Sequence, residues 1–221
     1  MSSTTLKLIA KMLELKSMTI GDIEDLNSNQ LIYDLEAKGV IKLEGDKIKV
    51  LNTIELAIEA IKLGLDIELA SKWLHWRDFE RFCVEALLAH GYKVKAPLRF
   101  KYDGKRHEVD IVAFKGKHIL CLDCKHWKMK GYQGYKVREA AIKHFSKCMK
   151  LAEMNSILAE LNASTASIII PVIVTLMDLG LKSPVNEVLV IPIFKLNSFL
   201  LDIEAHLDEV PSIEVLKVKQ T

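Results

Sequence analysis

The sequence predicts an α/β chain, a mixed sheet flanked by helices, preceded by a small and mostly helical domain. Three observations predict it. Apolar runs at 109–114 and 119–122 flank Lys115-Gly116-Lys117, the pattern of a β-hairpin. Residues 166–176 are almost wholly apolar, as in a strand buried on both faces of a mixed sheet. Between them, Val137, Ala140, Ala141, Phe145, Met149 and Ala152 share one face of a helix expected over 136–161. At 221 residues the chain has room for one large or two small domains, and at 50% hydrophobic it can bury a sizeable core.

Taken in order, residues 1–52 read as three helices and a hairpin. Thr4 or Thr5 caps a first helix whose Leu6, Ile9, Met12 and Leu13 share a face. A short second helix is expected over 19–26, followed by the turn and cap residues Asn27, Ser28 and Asn29. A third runs from Gln30 to Lys38, with Leu31, Ile32 and Leu35 inward and Gly39 as its stop. Residues 40–50 alternate about Glu44-Gly45-Asp46, which predicts a hairpin. Residues 53–76 form a helical connector over Thr53 to Trp73, broken near Gly64 and Asp66. Trp73 and Trp76 read as packing residues at a domain junction.

Residues 77–221 make the larger domain. An amphipathic helix opens at Trp76-Arg77-Asp78-Phe79-Glu80 and ends near Gly91. A strand over 92–102 contains Pro97, which marks an edge or a bulge. Asp103-Gly104 turns into the strand that begins at Arg106. Beyond 176, a strand over 187–194, a helix over 195–206 and a short strand over 213–218 complete the pattern.

Charge is unevenly spread. Residues 77–150 hold eighteen Lys and Arg against eight acids, or +10, although the whole chain carries only +2. Residues 1–76 are at −3, with nine Lys and twelve acids, and 151–221 at −5, with four Lys and nine acids. A phosphate backbone is the partner such a concentrated positive region suits. Arg99, Lys101, Lys105 and Arg106 make one basic hairpin. Lys128, Lys130 and Tyr132 lie in a basic, aromatic, glycine-bearing loop, and Arg138 stands on the helix after it. These eight residues are the expected nucleic-acid contacts, with aromatics to stack and cations to meet phosphates.

Other classes are disfavoured. No apolar run approaches the length of a bilayer span. The start, Met1-Ser2-Ser3-Thr4-Thr5, has no basic region leading into a secretory core, so a soluble cytoplasmic protein without a membrane partner is expected. Cys121-x-x-Cys124 looks like a zinc half-site, but an offset of three on a strand puts the two on opposite faces. With no second such pair, the four cysteines read as small buried residues.

The chemistry concentrates in the hairpin about Gly116. With the turn there, Asp110 falls opposite Leu122 or Asp123, and Asp123 shares a face with Lys125. Two carboxylates with water suit a hard divalent cation such as magnesium, with manganese as a substitute. A lysine beside them can orient an attacking water or hold a phosphate as a point charge. That is equipment for phosphodiester hydrolysis.

Asp110 followed by Asp123-Cys124-Lys125 resembles the PD-(D/E)xK motif of restriction-endonuclease-like nucleases, including the Mrr-like and archaeal Holliday-junction-resolvase-like proteins. Val109 stands where the motif's name has proline. The resemblance covers roughly Arg77 to the end of the chain. It implies a restriction-endonuclease-like core and a magnesium-dependent deoxyribonuclease. Glu80 matches the acid the family places on its first helix, and the Cys124 carbonyl becomes a further metal ligand beside Glu80, Asp110 and Asp123. Residues 1–52 resemble a winged helix-turn-helix domain. Its third helix carries Asp34 and Glu36 against Lys38, and residues 1–76 contain no arginine, so dimerisation or partner contact is favoured over base reading. A homodimer is expected from mechanism, since one site per chain cuts two strands most simply as a pair. The alternatives are an inactive nuclease fold that binds DNA or scaffolds, and a winged-helix transcriptional regulator. In the blandest case Asp123 and Lys125 are a plain ion pair.

Overall fold

The computed structural model describes residues 3–22, 29–125, 127, 134–163 and 165–215. The chain divides into two compact units, Met1–Arg81 and Phe82–Thr221. Among the described residues no helix is long and apolar enough to cross a membrane.

The first unit begins with α1 (Ser3–Leu15), β1 (Ser17–Thr19) and a 3-10 turn at Ile20–Asp22. Then come α2 (Asn29–Ala37), β2 (Ile41–Glu44) and β3 (Lys47–Val50). The strands form an antiparallel sheet in the order β1-β3-β2. β1 has no counterpart in the sequence reading. Lys16, at φ 61, turns the chain out of α1, and Ser17–Thr19 is then extended against Lys47–Lys49. The helix expected over 19–26 is a 3-10 turn where it is described, and residues 23–28 lie outside the described residues. Gly39 stops α2 as expected: at φ 67 it lets Val40 N donate to Leu35 O and its own N–H to Glu36 O, the closed C-terminal hydrogen-bond pair.

The connector is two helices, α3 (Thr53–Lys62) and α4 (Ile67–Lys72), separated at Gly64. Asn52 caps α3 by accepting Glu55 N at 3.2 Å, and Asp66 likewise accepts Leu69 N at 2.9 Å. Glu59, nearly buried, takes Lys38 and Lys62 at 2.8 Å each and so ties α3 to the end of α2.

The boundary between the units falls within α5 (Trp76–Ala89). The second unit continues with β4 (Lys93–Lys95), β5 (Leu98–Tyr102), β6 (Lys105–Val109), β7 (Ile111–Lys115) and β8 (His118–Lys125). Helices α6 (Gly134–Ala152) and α7 (Asn155–Glu160) lead to β9 (Ile168–Thr175), β10 (Leu189–Pro192), α8 (Ile193–Asp202) and β11 (Ile213–Glu214). The main sheet runs β10-β9-β8-β7-β4, with β11 beside β9, and β5–β6 is a separate hairpin. β8, β9 and β10 are parallel; β7 and β4 are antiparallel additions.

Two expected strands are each divided. The 92–102 segment breaks at Pro97, which has no N–H to give a ladder, so β4 joins the main sheet and β5 leaves it. The segment from Arg106 breaks at Asp110, where the backbone passes from the β5–β6 hairpin to the main sheet. The long helix expected over 136–161 is also two pieces. Asn155 and Ser156 are weak in a helix interior, and the break turns Met154, Ile157 and Leu161 onto the core. Ile193 and Phe194 belong to α8 rather than to the preceding strand, because Pro192 ends the ladder.

The core of this unit joins Leu98, Phe100, Val109, Val112, Ile119 and Cys121 to Cys148, Leu151 and Ile169. β9 is central and buried on both faces, as its composition predicts. Ile173→Ala, at a fully buried point of that strand, is expected to cost about 2–5 kcal/mol. Urea unfolding with an unchanged slope checks it.

Candidate active site at the sheet edge

β8 carries the site because its two ends differ. Its first seven residues are buried, whereas Lys125 emerges partly into solvent. β7 pairs Ile111 with Leu122, so one residue beyond the end of that ladder Asp110 comes abreast of Asp123. The freed Cys124 N–H is met by a side chain: it donates to Asp110 Oδ2 at 2.8 Å. Asp123 is only 5% exposed. Lys125, on the same face of the strand, places Nζ 2.7 Å from Asp123 Oδ2. The register on the other side sets Lys125 against Thr175, and Thr175 against Pro192, so the site lies at the shared C-terminal edge of three parallel strands.

Asp110, Asp123, Cys124 and Lys125 are therefore the anticipated residues that come together. Glu80, half-buried on α5, belongs to the Met1–Arg81 unit. Burial pushes the Asp110 carboxyl up from the ordinary aspartate range, and the charge of Asp123 pushes it the same way. The Cys124 N–H, Lys125 and Lys147 oppose that rise. Two like charges held together, one half-buried and one buried, are the environment a cation relieves. The donor set fits a hard divalent ion. Among the described residues no group of three His, Cys, Asp or Glu side chains is placed to hold a metal ion, so an ion at Asp110 and Asp123 would fill its shell with backbone oxygen, water and phosphate.

Arg99, Lys101, Lys105 and Arg106 stand exposed on the β5–β6 hairpin, and Arg138 is exposed on α6. Arg99 is already held by Glu108 at 2.6 Å, which reduces the free charge it offers. A shallow groove of about 520 Å³ is lined by Arg99, Phe100, Lys101, Arg106, His107 and Glu108. Lys128, Lys130 and Tyr132 lie outside the described residues. Cys121 and Cys124 are both buried and in no disulfide, Cys121 with Cys148 in the core.

Two residues near the site have no part in the sequence reading. Lys147 is half-buried on α6. His144, also on α6, is fully buried beneath β8, with Nε2 donating to Cys121 O at 2.9 Å. Its helical spacing from Val137, Ala141 and Cys148 was the available signal. Burial lowers the His144 pKa most, against the opposing pull of Asp123, and burial also lowers that of His118, which pairs with the Tyr92 hydroxyl at 2.8 Å. Below the ordinary histidine value of about 6.5, the unfolded chain binds protons that these native imidazoles do not. Stability should then rise with pH from the lowered native values up to about 6.5 and level off above. Urea midpoints at successive pH values in EDTA test this on Asp110→Asn, which lacks the opposite contribution of the raised Asp110 carboxyl; a flat profile through that window would refute it.

Comparison with known proteins is consistent with this geometry. Residues 71–164 match the family model described as restriction endonuclease, the Mrr catalytic type. An uncharacterized protein of Archaeoglobus fulgidus is 29% identical over 136 residues, 62% of this chain and 97% of that one. Two solved structures are more distant. Protein VC1899 from Vibrio cholerae is 14% identical, with 92% of this chain and 50% of that chain covered at a TM-score of 0.34. Can2 from Sulfobacillus thermosulfidooxidans, in complex with cyclic tetra-adenylate, is 13% identical, with 90% and 50% covered at 0.35. The chain spans about half the length of each of these two, and at such scores neither establishes a shared overall fold.

Proposed function

We propose that the chain is a metal-dependent DNA endonuclease centred on Asp110, Asp123 and Lys125, a reading supported by the match of residues 71–164 to the restriction endonuclease family model, consistent with the PD-(D/E)xK superfamily. The observation that carries the proposal is the convergence of those three side chains at one strand end inside the matched segment. Asp110 and Asp123 would hold magnesium, or manganese in its place, with the Cys124 carbonyl as a further ligand. The bound ion supplies a lowered water pKa and neutralises phosphate charge. Lys125, fixed by its contact with Asp123, orients the water whose oxygen attacks phosphorus. The same ammonium faces the charge that grows on the phosphate oxygens as the P–O ester bond breaks. The attacking water gives up one proton to solvent as its oxygen bonds to phosphorus, and the leaving oxygen takes one from solvent.

One site per chain suits a homodimer for cutting both strands. Residues 1–52, within the Met1–Arg81 unit, are read as a winged-helix-like module for dimerisation or partner contact, a reading supported by the three-stranded sheet β1-β3-β2.

The test is incubation of labelled linear duplex, single-stranded, flap and four-way-junction DNA with magnesium or manganese. Cleavage of at least one supports the proposal. Binding of DNA without cleavage under any metal favours a second reading, a nuclease fold kept for binding. That reading draws on the direct Lys125–Asp123 ion pair, which satisfies both charges without any substrate.

A further inference from the structure

The β5–β6 hairpin stands apart from the main sheet and has two unlike faces. On one, Leu98, Phe100 and Val109 are buried in the core of the unit. The His107 ring lies beside Phe100 on that face, 5.5 Å between centroids. Tyr102 and Lys105, paired across the strands, complete it at the turn. Strand side chains alternate, so Arg99 and Lys101 from β5 share the opposite face with Arg106 and Glu108 from β6. All four are exposed.

The register gives these four different settings. Arg99 stands opposite Glu108, and its Nε donates to Glu108 Oε2 at 2.6 Å. Lys101 stands opposite Arg106, a cation facing a cation. Among the described residues neither of those two forms an ion pair. Like charges directly opposite one another weaken a strand pair, yet the buried apolar face holds this one in register. Residues so paired have Cα atoms about 4.5–5.5 Å apart, so the two side chains can reach one anion together. An anion there exchanges their repulsion for attraction. Both line the open groove of about 520 Å³, with Arg99 and Glu108 beside them. The other acid of the hairpin, Asp103, lies in its turn.

We propose that Lys101 and Arg106 form a phosphate-binding pair for a nucleic-acid backbone, and that Glu108, by holding Arg99, keeps a third cation of the same face out of that contact and so limits affinity. The inference rests on the nuclease reading for its ligand, but a binding measurement tests it apart from cleavage. It also separates cations that look alike in the sequence. Lys101 and Arg106 meet phosphate directly, Arg99 does so only when released, and Lys105 belongs to the other face.

The experiment is equilibrium binding of a labelled DNA duplex by the full chain across a series of salt concentrations in EDTA, where cleavage is absent. One phosphate contact contributes about 0.9 to the slope of log K against log salt. Lys101→Ala and Arg106→Ala should each lose one contact's worth of slope and bind more weakly. Glu108→Gln should bind more tightly and gain one contact's worth, and adding Arg99→Ala to it should return the slope to the wild-type value. Glu44→Gln is the matched control. It removes an equal charge and frees another exposed lysine, Lys42, which Glu44 holds at 2.8 Å in the first unit. Its slope should stay at the wild-type value. Thermal unfolding of each variant reports the fold, and Lys101→Gln or Arg106→Gln serves in place of an alanine variant that unfolds. Wild-type slopes in the Lys101 and Arg106 variants, no gain in Glu108→Gln, or an equal gain in Glu44→Gln would each overturn the inference while leaving the nuclease reading intact. Absence of salt-dependent DNA binding in the wild type would overturn it together with the DNA substrate. The expected slopes in a protein that never cuts would uphold the pair and remove only the enzyme.

Discussion

Asp123→Ala and Lys125→Ala should each slow DNA cleavage by at least about a hundredfold, the scale of losing one preorganised charge at a reacting centre. Affinity for DNA in EDTA should stay unchanged. Both side chains act where the phosphate reacts and neither belongs to the basic hairpin, so the loss should fall on the rate constant. Lys125→Arg should not restore the rate. Asp123 holds Lys125 Nζ at 2.7 Å on a buried strand, and a planar guanidinium puts its charge elsewhere and donates in a fixed fork. Single-turnover cleavage at saturating enzyme reads the rate separately from binding. Equal rates in wild type and Lys125→Ala would remove the lysine from the chemistry.

Asp110→Asn should have a large and opposite pair of effects on stability. In EDTA the wild type carries a half-buried and a buried carboxylate abreast, and the charge of Asp123 helps raise the Asp110 pKa. A raised native value means that the folded chain keeps a proton the unfolded chain has released. Cation-free stability therefore falls as pH rises from the ordinary aspartate value through the raised one. The amide removes that cost, so the variant should unfold at higher urea than wild type in EDTA at neutral pH. Magnesium should reverse the order. An ion at a hundred times its dissociation constant stabilises the wild type by about 2.7 kcal/mol, and the variant should gain little. Unfolding midpoints in EDTA and in magnesium give the four numbers needed. An equal gain in both proteins would mean that Asp110 does not hold the ion.

The hairpin that bears the site was legible in the sequence because its signals are local. Gly116 fixes the turn, period-two alternation fixes the faces, and together they put Asp110 beside Asp123. The same held for Gly39 and for the break at Gly64, where a single residue sets the backbone. The divisions at Pro97 and Asp110 were less legible, because each depends on which distant strand pairs with each half. A run of alternating residues looks the same whether it keeps one partner or changes partner midway. β1 escaped notice for a related reason: three residues have too few alternations to register, and it is extended only because Lys47–Lys49 lie alongside. Lys147 was hidden by its setting. On a helix with Lys143 and Lys150 it reads as one more solvated cation, and its half-burial comes from the packing of α6 on the core, which the sequence does not display.

The central claim, that Asp110, Asp123 and Lys125 form a metal-dependent hydrolytic centre, is tested most directly by mixing magnesium with a complex of protein and labelled DNA preassembled in EDTA. The DNA should be the structure bound most tightly in the substrate panel. The account predicts strand cleavage that begins on addition of the ion, stops on chelation, and is absent with Asp123→Ala. DNA that stays bound and intact at every magnesium and manganese concentration would contradict it and leave a binding scaffold in its place.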